Sequence, residues 1–268
     1  MSIIDKILRK ITNLSFYLDV AQNKNNYNLL KNSDYIIFGN DRLALSSILM
    51  IKKLNKIKSI NSSVFIMGLF AKKKGNLFVN SLQKKFLRIF FDEFNNLIFL
   101  SKGELIEAEN AFPKYKNKFH FLPFSIDTDF WNDSNINKGF DKKKILFIGN
   151  DGRRDFSKAI EIAKNLPQYE FVFITSQLDR SDLKSNNIEL VNGNWNLNIL
   201  TDREILSYYL SAKITIIPLI DSYQPSGQSV ALQSMSSGTP VLISETKGFW
   251  NKEDFNHNKE IIFIKNNS

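Results

Sequence analysis

The sequence contains no cysteine and only two histidines, His120 and His257, among 268 residues. The missing thiols exclude disulfide scaffolds, thiolate nucleophiles, cysteine-ligated zinc and iron–sulfur clusters. Two isolated histidines leave little room for a histidine metal site. Long apolar runs are also lacking: the longest, over 64–71, is short and interrupted by a glycine, well below the ~20 residues of a spanning helix. The N-terminus has neither the apolar core nor the small-residue cleavage site of a signal peptide, so a cytoplasmic protein is expected. The G-x-G-x-x-G, Walker A, H-E-x-x-H and G-x-S-x-G signatures are all absent.

Acidic residues are scarce in one half only. Residues 1–125 carry 20 Lys/Arg against 9 Asp/Glu, a net of +11, and residues 126–268 carry 16 against 18, a net of −2. Such an excess suits nucleic acid, an anionic membrane surface or a phosphorylated partner. A Lys-, Asn-, Ile- and Phe-rich coding bias accounts for the total charge but less well for the asymmetry. No groove-reading or base-stacking motif accompanies the cations, which alternate with core segments, so nucleic acid is not expected.

Short apolar runs alternate with helical periodicity. Strands are expected over 35–39, 63–67, 97–100 and 119–122, with helices over 43–54, 82–94 and 104–111 between them. The pattern restarts with strands over 144–149, 170–175, 188–191, 214–217 and 241–243 and helices over 155–166, 202–211 and 229–237. This alternation, with continuous apolar strands, predicts two Rossmann-like α/β domains whose parallel sheets are covered on both faces. The expected boundaries are an N-terminal domain over 1–122, a polar linker over 123–143 and a C-terminal domain over 144–268, with a ligand cleft between domains.

Four stretches carry chemistry. Gly149-Asn-Asp-Gly-Arg-Arg-Asp155 places a glycine turn between a strand and a helix, where backbone N–H groups attract anions. Arg153 and Arg154 add charge suited to phosphate. Gln224-Pro-Ser-Gly-Gln-Ser229 opens another helix, where the amides of Gly227, Gln228 and Ser229 are aimed at an anion. Asp127-Thr-Asp129 could hold a divalent metal through two carboxylates, but its linker position favours a structural role. Finally, residues 3–14 and 82–91 form basic amphipathic segments. The plainer reading is a core-facing helix with a solvated face; the alternative is a helix lying on an anionic bilayer.

Taken in order, these stretches resemble family 4-like glycosyltransferases of the GT-B fold. Phe121-Leu-Pro-Phe-Ser-Ile-Asp-Thr-Asp-Phe130 resembles the interdomain I-P-N-G-I-D-T-D-x-F segment, residues 145–156 the turn that opens the donor domain, residues 202–212 the helix ahead of the donor motif, and residues 224–248 the E-x(7)-E region. The resemblance implies transfer of a sugar from a nucleotide-diphosphate donor, with retention and without metal or other cofactor. It implies that Arg153 and Arg154 stabilise the leaving diphosphate, and that Gly149, Asn150, Asp151, Ser226, Gly227, Gln228, Ser229 and Gln233 line the donor site. A lipid-linked or polysaccharide acceptor, met through peripheral contact of the basic half with the inner face of a membrane, follows as an expectation. Gln233 stands where the family has its second Glu, the first Glu is absent, and the first domain is short of strands. An inactive or split form, binding a sugar nucleotide or a partner, is therefore the alternative.

Overall fold

A computed structural model of the chain describes residues 2–71, 75–132, 142–183 and 185–265. The expected linker is thus described only in part, with residues 133–141 outside. The chain divides into two compact units, Met1–Pro123 and Phe124–Ser268.

In the first unit, α1 (Ile3–Thr12), α2 (Leu18–Ala21) and α3 (Lys24–Lys31) precede β1 (Tyr35–Phe38). There follow α4 (Asp41–Asn55), β2 (Asn61–Ile66), α5 (Leu77–Glu93), β3 (Asn96–Phe99), α6 (Lys102–Ala111) and β4 (Phe119–Phe121). The strands are parallel in the order β1-β2-β3-β4. That order has no reversal, so right-handed crossovers send α4, α5 and α6 to the same face. Ile36, Phe38, Val64, Ile66, Leu97 and Phe99 meet the helices there in one core. Phe91 of α5 packs edge-on against Phe112 and Phe119 at ring distances of 5.0 and 5.2 Å.

The opposite face is open, which corrects the expectation of a sheet covered on both sides. Tyr35 and Ile37 of β1 are exposed, as is His120 of β4, and Phe65 and Ile98 are half-buried. A polar ladder crosses this face: the Tyr35 hydroxyl meets Ser63 Oγ, Asn96 Nδ2 donates to Ser63 Oγ at 3.2 Å, and His120 Nε2 meets Asn96 Oδ1 at 3.2 Å. The earlier helices add nothing to it, because α1 packs on α5 while α2 and α3 pack on α4.

The two basic amphipathic segments behave differently. α5 turns Leu87, Phe90 and Phe91 into the core, as expected. α1 buries Asp5 and Thr12 instead and leaves Ile3, Ile4, Ile7 and Ile11 exposed.

The second unit runs α7 (Thr128–Trp131), β5 (Lys144–Ile148), α8 (Phe156–Asn165), β6 (Phe171–Thr175), α9 (Arg180–Leu183), β7 (Ile188–Asn192), α10 (Asp202–Ser211), β8 (Ala212–Ile217), α11 (Gln228–Ser236), β9 (Val241–Glu245) and β10 (Ile262–Lys265). The short helices α7 and α9 and the strand β10 go beyond what periodicity predicted. The sheet is parallel in the order β10-β9-β8-β5-β6-β7. The order reverses between β5 and β8, so helices cover both faces. Along β5, Ile145 and Phe147 join one core with α8, while Leu146 and Ile148 join the other with α10 and α11. Trp131 of α7 belongs to this second core, 5.9 Å from the Tyr209 ring. Asp127 caps α7, accepting from the N–H groups of Asp129 and Phe130 at 3.1 Å each, so it serves the structural role favoured for the D-x-D pair. Among the described residues, no helix is long and apolar enough to cross a membrane.

Glu104 of α6 is a fully buried carboxylate in the first unit. It accepts from the N–H groups of Gly68 and Phe70 at 3.1 and 2.9 Å, holding the turn that follows β2. Burial pushes its carboxyl up to about 8; the backbone hydrogen bonds lower it, and the charge of Asp41 raises it further. Its folded-state value therefore lies above the unfolded one, and the native protein holds the extra proton. Stability falls as pH rises from about 4.5 to about 8, by up to ~1 kcal/mol per pH unit. Denaturant melts at pH 5 to 9 should show this slope in the wild type and a flatter one in Glu104→Gln, whose neutral side chain has no proton to lose.

Candidate functional site

The reversal of strand order between β5 and β8 is where open α/β sheets leave a crevice at the carboxyl ends of their strands. Gly149 follows β5 there, at φ +149°, and its N–H donates to the Ile174 carbonyl at 3.1 Å. A Cβ on this glycine would lie 2.3 Å from Nε of Arg154. Position 149 is therefore glycine because a guanidinium lies across it.

Arg154 is buried at 4% exposure. Its Nε donates to the Ile148 carbonyl at 3.2 Å and its Nη1 to Asp151 Oδ2 at 2.8 Å. Burial lowers its pKa, while the charge of Asp151 and the phenol of Tyr209 raise it. The backbone on either side is zipped to the segment after β8. Asp155 N–H donates to the Pro218 carbonyl and Ile220 N–H to the Arg153 carbonyl, each at 2.9 Å, and Arg154 bridges Leu219.

The N-terminus of α11 meets this turn. Its cap is Gly227, at φ +81°, with no side-chain hydrogen bond. Every other described helix of eight residues or more has a side-chain cap, from Ser2, Asn23, Asn40, Asn76, Ser101, Asp155 or Thr201. A Cβ at Gly227 would sit 2.9 Å from Ile217 Cγ2 and 3.6 Å from Arg154 Nη1, so a capping side chain has no room. Directly before it, Ser226 is buried and its Oγ has no hydrogen-bond partner among the described residues. An uncapped helix end carries a partial positive charge. Here it coincides with a buried guanidinium and an unsatisfied hydroxyl, an arrangement complementary to an anion.

Two side chains extend the site. Tyr209 of α10 is fully buried, which raises its pKa against the lowering effect of Arg154, and it remains a neutral phenol. It donates to Gln233 Oε1 at 3.1 Å, which turns the Gln233 amide group toward donating. Arg153 is half-buried, with its Nε donating to Gln224 Oε1 at 3.1 Å.

The structure thus brings Gly149, Asp151, Arg153, Arg154, Ser226, Gly227, Gln228 and Ser229 to one end of the sheet. Asn150 lies there too, but its side chain braces neighbouring strands: Nδ2 donates to the Gly193 carbonyl, and Oδ1 accepts from Thr175 Oγ1 and Ser176 N–H. Tyr209 was missed by the sequence reading. A buried tyrosine needs a partner for its hydroxyl, but nothing in the sequence pointed to Gln233. Gly248 was also undervalued: its Cβ would fall 2.4 Å from the Gln224 carbonyl oxygen, so it allows the 221–226 loop to lie close. A shallow cavity of about 580 Å³ lies at the opposite ends of the strands. Its cations are already committed, Lys144 to Glu189 at 2.7 Å and Arg180 to the Ile188 carbonyl. We place the site at the switch point.

No protein-family profile matches the sequence, and no curated protein is similar to it. Solved structures do match. A glycosyltransferase from Rickettsia africae is 14% identical at a TM-score of 0.64, over 91% of this chain and 67% of that one. An S. aureus TarM variant, in complex with fondaparinux, alpha-GlcNAc-glycerol and UDP, is 17% identical at a TM-score of 0.61, over 89% and 47%. Anabaena HepE in complex with UDP is 10% identical at a TM-score of 0.60, over 89% and 66%. The chain therefore has the mixed α/β fold of GT-B glycosyltransferases, with two parallel sheets, and spans about half to two thirds of their length.

The close approach at Gly149 is testable by thermal and denaturant unfolding. Gly149→Ala combines a disfavoured φ with a clash against Arg154 and should cost about 2 kcal/mol or more. Gly152→Ala, with nothing within 4 Å of the added carbon, should stay within about 0.5 kcal/mol of wild type.

Proposed function

We propose that this chain is a glycosyltransferase that binds a nucleotide-diphosphate sugar at the switch point of its second unit and transfers the sugar with retention. The observation that carries this reading is the uncapped N-terminus of α11, flanked by the unpartnered Ser226 hydroxyl and the buried Arg154 cation. The fold shared with UDP-bound glycosyltransferases supports it. In the reaction, the bond from the sugar C1 to the β-phosphate oxygen breaks. A bond from C1 to the acceptor oxygen forms on the same face, and the acceptor proton passes to the oxygen of the leaving diphosphate. Negative charge grows on the leaving diphosphate.

Arg154 supplies a fixed cation behind the α11 amides, and Arg153 reaches the phosphates from the rim. Ser226, Gly227, Gln228 and Ser229 cradle them, beside Gly149 and Asp151. Preorganised charge of this kind stabilises the departing anion without needing a metal ion. Gln233, held by Tyr209, faces the ribose. The acceptor, of the lipid-linked or polysaccharide class, is assigned to the first unit.

Gln233 favours a second reading. Its amide is neutral and already accepts from Tyr209, so it holds a ribose hydroxyl more weakly than a carboxylate would. A chain that binds a sugar nucleotide without turning it over, or only with a partner, fits that weakness. Transfer or donor hydrolysis by the purified chain would exclude this second reading.

Isothermal titration with UDP tests the donor site. Wild type should bind. Arg153→Ala should weaken binding about tenfold or more, and Ser226→Ala should weaken it by a smaller factor, neither lowering Tm appreciably. Unchanged affinity in a folded Arg153→Ala/Arg154→Ala double variant would overturn the phosphate assignment.

A further inference from the structure

Helix α1 is oriented against the usual rule. Its buried residues are Asp5 and Thr12. Asp5 accepts from the N–H groups of Ser2 and Leu18 at 3.2 and 3.0 Å. Thr12 Oγ1 donates to the Leu8 carbonyl at 2.6 Å and accepts from Leu14 N–H at 3.2 Å. These bonds fix which side of the helix faces inward. The isoleucines are left outside, at exposures of 76% for Ile3, 60% for Ile4, 54% for Ile7 and 39% for Ile11. At about 100° per residue they share one arc about 100° wide. Lys10 and then Lys6 border that arc on one side, both exposed, with Arg9 beyond them. The helix is well formed, with a complete capping box between Ser2 and Asp5 and a left-handed Asn13 closing it. Leu77 and Phe78, at the start of the helix against which α1 packs, are also exposed, at 90% and 69%.

We propose that this face of α1 is a docking surface for an anionic lipid bilayer. Four aligned isoleucines enter the headgroup–acyl boundary, and Lys10 and Lys6, at the edge of the arc, lie at the level of the lipid phosphates. Charge selects the bilayer over a second copy of the chain. The first 125 residues carry a net +11, so two copies meeting through this face would bring like charges together, whereas anionic lipids attract them. The surface belongs to the first unit and is independent of donor binding in the second.

Vesicle flotation with the full chain provides the test. Wild type should float with phosphatidylcholine–phosphatidylglycerol vesicles and far less with phosphatidylcholine alone. Ile4→Ser/Ile7→Ser should reduce partitioning about tenfold or more while keeping the wild-type Tm, because both side chains are exposed. Lys6→Gln/Lys10→Gln should weaken binding about fivefold per cation removed and flatten the dependence on anionic lipid. UDP affinity should be unchanged in both variants, so a failed donor site leaves this outcome readable. Wild-type chain that does not float, or that floats equally well with Ile4→Ser/Ile7→Ser, overturns the proposal. So does a wild-type dimer that the same double variant dissociates without any vesicle binding.

Discussion

The second unit is organised around one buried charge. Arg154 lies across Gly149 with its guanidinium out of water, and its Nη1 reaches Asp151 at 2.8 Å. An isolated guanidinium in that position would cost several kcal/mol, so the surrounding chain is built to compensate it. Gly149 has no side chain because the guanidinium takes that space. The Ile148 carbonyl accepts from Nε. The turn before α8 is zipped to the segment after β8, which holds the two strands at the switch point in register with each other. The same cation stands behind the N-terminus of α11, where Gly227 replaces the side-chain cap that the other long helices have. Fixed positive potential and an uncapped helix end thus arise from one set of packing constraints.

The polarity of the site follows from a second buried group. Tyr209 is kept neutral by burial and spends its proton on Gln233. The amide at that position is thereby held by an element on the same core face as α11 rather than by ligand. A neutral, pre-oriented amide offers directional contact without net charge, so the positive potential at this end of the sheet comes from Arg153, Arg154 and the helix end.

The two sheets illustrate how topology governs exposure. Both are parallel and both arise from similar apolar runs. The second reverses its order and is covered on both faces; the first runs β1-β2-β3-β4 and leaves Tyr35, Ile37 and His120 in the open. Strand order depends on which strands pair, and pairing leaves little trace in local periodicity. Helix α1 makes the same point. Its apolar spacing was legible, yet its apolar face points outward because Asp5 and Thr12 are turned inward, accepting from the N–H groups of Leu18 and Leu14.

Local physics alone determined much of this protein. The alternation of apolar runs with helical periodicity located nearly every long strand and helix, because burial demands a period that composition reveals. The glycines at 149 and 227 and the cations at 153 and 154 stood out in the sequence, because backbone turns and phosphate chemistry restrict residue type, and the structure brings them to one end of the second sheet. Tertiary structure decided what depends on contacts distant in sequence. It buried Arg154 while leaving Arg153 near the rim, committed Asn150 to bracing strands, paired Tyr209 with Gln233, uncovered one face of the first sheet and turned the isoleucines of α1 outward. Each of these is a choice of partner, and a partner is selected by packing among elements that the local sequence does not bring together.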